Sequence, residues 1–309
     1  MFTKFWDELA EGLAGRWAAQ ALGPALVFWG GGLLAWVWHT GRGWQRLTNR
    51  LAAVDHPAAY VALAVGGLLV LAASSAVGSW LQLPVLRLLE GYWPWPFRRL
   101  RFWLARRVVK RLEKKEEEWQ TLVAIEPEER GAEQQAEYAR LDAQLARYPV
   151  DPRHLMPTRL GNILRAAEEY PLVRYGLTTG ICWPRLWLAI PKEARDTLSQ
   201  ARQRLNGAAR LFVWGLLFAV WTVWAWWAVP AALVVAVAAY WGMLHAAGVY
   251  GDLVRSAFDL YRFALYEQVR WPLPDEPQRE DVAGRQLSEY LFRGTGSRYV
   301  TFSHPSQEG

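Results

Sequence analysis

The length of its uncharged apolar runs is the feature that most constrains how this chain can fold. Residues 211–249 form a block of about 39 residues without Asp, Glu, Lys or Arg, and residues 57–86 form another of about 30. A helix rises 1.5 Å per residue, so about 20 apolar residues cross the ~30 Å hydrocarbon core of a bilayer. Both runs therefore predict transmembrane helices, and the longer block has the length of two.

A third run, residues 18–38, adds about 21 uncharged positions and predicts a further span. In the long block, Pro230 lies near the middle, so we interpret the block as two helices joined by a tight turn. A single kinked helix with a re-entrant stretch is the alternative. Aromatic residues crowd the approach to this turn, as in an interfacial belt: Trp221, Trp224, Trp226 and Trp227.

The Lys and Arg residues beside the spans predict the orientation. Ten of them lie in residues 87–115, whereas the loop between the first two spans has only Arg42, Arg46 and Arg50. Because cytoplasmic flanks are enriched in these residues, the middle segment is expected to be cytoplasmic, with both termini on the same side of a bacterial plasma membrane. Acidic residues precede the first run and no small-residue cleavage site follows it, so a cleaved signal peptide is not expected.

The predicted fold class is an all-α membrane protein with four transmembrane helices arranged as two hairpins around an inserted helical cytoplasmic domain. Residues 1–86 hold the first hairpin, with spans at about 18–38 and 57–86. Residues 87–210 form the cytoplasmic domain, 211–249 the second hairpin, and 250–309 a cytoplasmic amphipathic helix and tail.

Within the middle segment, the prolines of residues 92–96 predict an interfacial elbow, followed by a basic helix that pairs with a second helix as a hairpin. Thr158 is the predicted N-cap of a third helix that Pro171 ends. We expect residues 171–190 to be loop-like, and Pro191 to begin a helix that runs unbroken into the third span. Past Pro277, one short helix and a polar end are expected.

The basic helix suggests contact with a charged surface. Its arginines lie directly after a span, where anionic lipid headgroups are within reach and each basic residue contributes about 1 kcal/mol of attraction. Nucleic acid phosphates would also bind a helix of this charge density. The position of the helix directly after a predicted span favours an anionic bilayer as the partner. The predicted lipid contacts are Arg98, Arg99, Arg101, Arg106, Arg107 and Lys110.

Small residues recur on one face of the second span: Ser74, Ser75, Gly78 and Ser79. Small residues at this spacing let helices approach closely, which favours a packing role. The alternative is a hydroxyl-lined pore, which needs no charged residue if its gate is hydrophobic.

No enzyme motif is found, and no cofactor or metal is expected. The five histidines are too widely spaced for a local metal-ligand pattern, although a folded site can assemble from distant residues. Asp151 beside His154, and His245 near the end of the fourth span, are interpreted as structural. The only cysteine, Cys182, excludes an intramolecular disulfide and is interpreted as a small buried side chain.

Three stretches together resemble segments of a family of uncharacterised bacterial multi-pass membrane proteins. They are 157–168 (PTRLGNILRAAE), 175–186 (beginning YGL and ending WPRL) and 270–274 (RWPLP). The resemblance covers roughly residues 157–293 and implies no activity.

Two functional hypotheses follow. The first is a non-enzymatic, membrane-anchored interaction or regulatory module whose middle domain and tail bind a cytoplasmic protein, with self-association left open. The alternative is an oligomeric channel or membrane-perturbing effector gated by the cytoplasmic domain.

Overall fold

A computed structural model of the protein describes residues 23–41, 43–52 and 56–294. All regular secondary structure in these residues is helical. The helices are α1 (23–40), α2 (Gly43–Ala52), α3 (Pro57–Glu90), α4 (Arg98–Val123), α5 (Ala132–Leu145), α6 (Arg159–Tyr175), α7 (Thr179–Ala189), α8 (Lys192–Phe218), α9 (Ala228–Gln268) and α10 (Glu280–Arg293). The chain is thus all-helical over the described ranges, as its sequence predicts.

Three helical segments are long and apolar enough to cross a membrane: Ala58–Val123, Lys192–Val223 and Ala228–Gln268. The first joins α3 to α4 through a short 3-10 turn at Trp95–Phe97. Residues 23–40, which include most of the first predicted span, are helical, and residues 18–22 lie outside the described ranges.

The second predicted hairpin differs in detail from the expectation. The chain leaves α8 through a 3-10 turn at Ala219–Val223, and α9 begins at Ala228. Pro230 is therefore in the first turn of α9 and not in the connection. The first turn tolerates a proline, because the backbone N–H groups at the start of a helix have no intrahelical acceptor. The helix then continues past residue 249 to Gln268, so the apolar stripe of residues 253–264 belongs to the same helix.

Two predictions about the middle segment were wrong. Pro171 lies inside α6, which runs one turn further and ends where Gly176 adopts a left-handed φ of 68°. Residues 171–190 are not a loop throughout, since Thr179–Ala189 is helical with Pro184 inside it. Buried Cys182 and Leu186 lie one turn apart there, so helical periodicity is present but is obscured by the proline.

Other local expectations were confirmed. α4 and α5 form consecutive helices with a break between Val123 and Ala132, as a hairpin requires. The hydroxyl of Thr158 accepts a hydrogen bond from the Gly161 amide at 3.0 Å, which makes it the N-cap of α6. α8 runs unbroken from Lys192 to Phe218, and α10 is the single helix after Pro277 in the described residues.

The described chain divides into two compact units. One contains residues up to Leu86 together with Asn206–Gly242, and the other contains Arg87–Leu205 with the residues from Met243 onward. We call the first the apolar unit and the second the polar unit. The polar unit has an aromatic-rich core around Phe258, Tyr266 and Trp271, to which α6, α7, α8, α9 and α10 contribute.

In the apolar unit, aromatic contacts hold α1 against the connection after α8. The indole N–H of Trp221 donates to the carbonyl of Phe28 at 3.0 Å, and the two rings lie 4.9 Å apart. Phe28 also lies 5.3 Å from the ring of Trp214 on α8. An indole N–H that is partly withdrawn from water favours an acceptor, and this hydrogen bond supplies one to half-buried Trp221.

Candidate membrane-surface and packing sites

The first half of α4 presents basic and large apolar side chains together. Leu100, Phe102 and Trp103 are 45%, 55% and 48% exposed, and α4 has no buried residue. The six predicted lipid contacts, Arg98, Arg99, Arg101, Arg106, Arg107 and Lys110, lie on this same stretch of helix. The guanidinium of Arg107 is 3.6 Å from the centroid of the Trp103 ring, a cation–π contact.

The second half of α4 has a partner. Trp119 stacks on Tyr138 of α5 with ring centroids 6.2 Å apart, and Lys115 donates a hydrogen bond to the side chain of Gln144. The guanidinium of Arg130, in the connection between the two helices, lies over the same Tyr138 ring, 4.4 Å from its centroid. The exposed aromatic and aliphatic groups are therefore concentrated on the first half of α4, which lies before the part that pairs with α5.

The small residues of α3 have different surroundings. Ser74 accepts a hydrogen bond from the indole N–H of Trp29 at 3.2 Å, and Ser75 is 7% exposed. A Cβ added at Gly78 would lie 2.9 Å from the ring of Trp214, so the missing side chain leaves room for that ring. Ser79 is exposed. The structure thus brings three of the four residues to helix contacts within the apolar unit.

The three stretches with a family resemblance contribute helix ends and a core residue to the polar unit. Thr158 caps α6, Gly176 ends it, and Trp271 is buried in the core. Comparisons with known protein families, curated proteins and solved structures give no match to this chain. The local geometry therefore carries the argument about function.

Asp151 and His154 are neighbours in sequence, and the side chain of Glu169 on α6 lies close to both. Glu169 was missed by sequence reasoning. One ligand atom from each lies within 4.8 Å of the others, the spacing of a metal site. However, Asp151 is held by Arg153 at 2.6 to 3.0 Å, and this contact, with the Arg153 amide, lowers the pKa of the Asp151 carboxyl to about 2. His154 Nδ1 lies 2.9 Å from Glu169 Oε1. A cation would thus have to displace Arg153, and the arrangement as it stands is a pair of polar contacts.

A second polar cluster was also missed by sequence reasoning. The hydroxyls of Tyr170 and Tyr175 on α6 both donate to the carboxylate of Asp259 on α9, at 3.0 and 2.6 Å. Burial raises the pKa of both tyrosines, and their hydrogen bonds to the Asp259 carboxylate raise it further. Arg262 pairs with Glu280, so the same patch of α9 also contacts α10. Each cluster depends on a residue that is distant in sequence. Glu169 is 15 positions from His154, and Asp259 is 84 and 89 positions from the two tyrosines.

His245 is exposed on α9 and makes no hydrogen bond or ion pair with the described residues. It has no acidic or basic partner that would mark a proton pathway among those residues. Cys182 is fully buried with its thiol 3.6 Å from the Ser288 hydroxyl, which confirms the interpretation of it as a small core residue.

Proposed function

We propose that this chain is a non-enzymatic, membrane-anchored interaction or regulatory module of a bacterial inner membrane. In this proposal, four spans form two hairpins, at 18–38, 57–86 and twice within 211–249. The helical domain 87–210 and both termini are cytoplasmic, and the domain presents its surface to a cytoplasmic protein. The observation that carries the proposal is the first half of α4, which exposes arginines and aromatic groups together immediately after a membrane-compatible helix.

The exposed apolar groups of the first half of α4 favour lipid contact. Leu100, Phe102 and Trp103 would be unfavourable in water as a contiguous patch but suit the boundary between headgroups and acyl chains. The cations on the same stretch favour anionic headgroups, at about 1 kcal/mol per basic residue near the surface. The phosphates of a nucleic acid duplex offer the cations a partner, but its base faces are stacked inside and are not available to Phe102 and Trp103.

Lipid contact is tested with an environment-sensitive fluorophore at Leu100→Cys in a Cys182→Ala background, in nanodiscs of the full chain. Spin-labelled lipids should quench it, and more strongly in anionic than in zwitterionic bilayers. The same fluorophore at Thr121→Cys, on the second half of α4, is the control. Replacing Arg98, Arg99, Arg101, Arg106 and Arg107 with Gln should reduce the quenching at Leu100, as should salt. Equal quenching at both positions would contradict the proposal, and so would tight binding of duplex nucleic acid that removes the lipid dependence.

The orientation has its own test, because it rests on the charge count of ten against three beside the spans. Single cysteines are placed at Glu133, at Ser303 beyond the described residues and near Asn49, again in the Cys182→Ala background. A membrane-impermeant reagent added to intact cells should label the site near Asn49 and spare the other two. Labelling at Glu133 in sealed cells would reverse the orientation.

For the small residues of α3 we propose a packing role. The contacts of Ser74 with Trp29 and of Gly78 with Trp214 support it. Under this reading Ser75→Leu and Gly78→Leu lower stability or break an oligomer in mild detergent, and the reconstituted protein carries no current. A current through Ser75→Cys protein that a thiol reagent blocks, with the oligomer intact, would instead establish the channel.

A further inference from the structure

A cavity in the polar unit is lined by five basic side chains and by no carboxylate. It lies between α4, α5 and the start of α6 and has a volume of about 690 Å³. The basic residues are Arg111, Lys115, Arg140, Arg147 and Arg159. None of them belongs to the proposed lipid contacts, which lie earlier on α4. We call this cavity the basic groove.

The charges of Arg111, Lys115 and Arg147 in the basic groove are poorly compensated. Arg140 pairs with Glu137 at 3.1 Å, and Lys115 donates to the neutral amide of Gln144. Among the described residues, no carboxylate lies within 4.0 Å of the basic atoms of Arg111, Lys115 or Arg147. Several positive charges in one concave site repel one another and together produce a positive electrostatic potential. This potential favours the binding of an anion.

Several basic residues elsewhere in the polar unit have acidic partners three or four positions away. Such pairs are Lys114–Glu118, Arg165–Glu168, Arg279–Glu276, Arg285–Asp281 and Arg293–Glu289. Lys114 is the immediate neighbour of Lys115, so the difference between a paired and an unpaired lysine appears within one turn. Carboxylates of the polar unit thus reach these cations, whereas among the described residues none reaches Arg111, Lys115 or Arg147.

The geometry of the wall favours phosphate groups in particular. Arg111 and Lys115 are four residues apart and share a face of α4, while Arg159 is the first residue of α6. The first turn of that helix adds its positive end to the same wall. Arginine forks bind phosphate oxygens through two parallel hydrogen bonds. The volume is several times that of one phosphate and lies in the range of small-ligand sites.

We propose that the basic groove binds a small ligand carrying at least two phosphate groups. The ligand is either the headgroup of a two-phosphate lipid or a soluble polyphosphate compound, and the two share the chemistry that the groove recognises. The inference does not depend on lipid contact by the first half of α4.

The test uses the full chain in a neutral detergent and measures tripolyphosphate binding by calorimetry. Lys115→Gln should weaken binding on the order of tenfold, because a charge-assisted hydrogen bond is worth roughly that factor. Lys114→Gln removes the same charge from the adjacent residue outside the groove and should change affinity less than about twofold. The double variant Arg147→Gln, Arg159→Gln should abolish binding, whereas the control Arg153→Gln, Arg279→Gln should retain it.

A second arm distinguishes the two sources. Native mass spectrometry of protein taken from nanodiscs compares retention of cardiolipin, which has two phosphates, with that of phosphatidylglycerol, which has one. Preferential retention of cardiolipin that the double variant loses assigns the groove to a lipid headgroup, and tight tripolyphosphate binding without it assigns a soluble ligand. Unfolding of the ligand-free variants is measured alongside, so a folding defect in the double variant leaves the Lys115 and Lys114 pair as the decisive comparison. The proposal is overturned if the parent protein binds neither probe, or if Lys115→Gln and Lys114→Gln behave alike.

Discussion

The two units of the molecule bury opposite kinds of side chain. In the apolar unit, Leu69 and Val234 are 64% and 67% exposed, while Ala236 and Ala239 are buried. In the polar unit, Leu160 and the other large core side chains are buried. Helices in lipid gain nothing from hiding leucine from an equally apolar solvent, so close approach through small residues determines their packing. In water, burial of large side chains is the main driving force. The apolar unit thus exposes large apolar side chains and buries small ones, whereas the polar unit buries large ones. This difference indicates that lipid surrounds the first unit and water the second.

The largest effect that would sharpen this comparison is the loss of a core leucine in the polar unit. Leu160→Ala on α6 removes a fully buried side chain and should cost about 2 to 5 kcal/mol of unfolding free energy. Leu69→Ala makes the same chemical change on an outward face of α3, and should cost less than about 0.5 kcal/mol. Both are measured by titration with a denaturing detergent, followed by circular dichroism. Equal costs would show that the outward face of α3 is covered by protein and would break the comparison.

A second prediction concerns the close approach of α10 to the end of α6 in the polar unit. A Cβ added at Gly284 would lie 1.9 Å from the carbonyl oxygen of Tyr175, which is backbone and cannot rotate away. Gly284→Ala should therefore force the helices apart and cost about 1 to 3 kcal/mol or more. Gly180→Ala is the control, because nothing lies within 4 Å of the added atom. If both variants unfold at the same detergent concentration, the contact between α6 and α10 does not determine the packing.

The sequence was sufficient for those features that depend on local pattern. Uncharged runs predicted the long apolar helices, Thr158 predicted an N-cap, and Pro191 predicted the start of α8, because each effect arises within a few residues. Pro171 misled the prediction, since a proline stops a helix only where the surroundings do not support the turn around it. The last turn of α6 has that support, because Tyr175 is buried in a core to which the distant helices α9 and α10 contribute.

The candidate sites divide in the same way. The basic residues of α4 were visible in the sequence because they are consecutive on one helix. The basic groove was not, because Arg111, Arg147 and Arg159 are brought to one wall by the fold of the hairpin against α6. The contact of Asp259 with Tyr170 spans 89 positions and likewise has no local signal.

A third prediction concerns the space beside two glycines of α3 in the apolar unit. A Cβ at Gly78 would lie 2.9 Å from the Trp214 ring, whereas nothing lies within 4 Å of one at Gly67 on the same helix. A ring can shift where a backbone carbonyl cannot, so Gly78→Ala should cost about 1 kcal/mol, at the low end for overpacking. Gly67→Ala should be neutral or stabilising by up to about 1 kcal/mol through helix propensity. The two unfolding curves in detergent would be compared directly, and a loss at Gly67 as large as that at Gly78 would remove the packing role of the small residues.

The smallest expected effect is a pH dependence that reports solvent exclusion in the polar unit. Burial raises the pKa of the Cys182 thiol, and the Ser288 hydroxyl only partly offsets this. The native state therefore retains the proton at a pH at which the unfolded chain loses it. The stability that this proton contributes is complete below the pKa of an exposed thiol, about 8.5, and declines as the pH rises above it. Cys182→Ala should remove that alkaline decline, and in the parent protein a thiol reagent at pH 8 should react far more slowly than with a cysteine at exposed Thr197 in the alanine background. Rapid labelling of Cys182 in the folded protein would show that water reaches the core, and the two units would then differ less than their packing indicates.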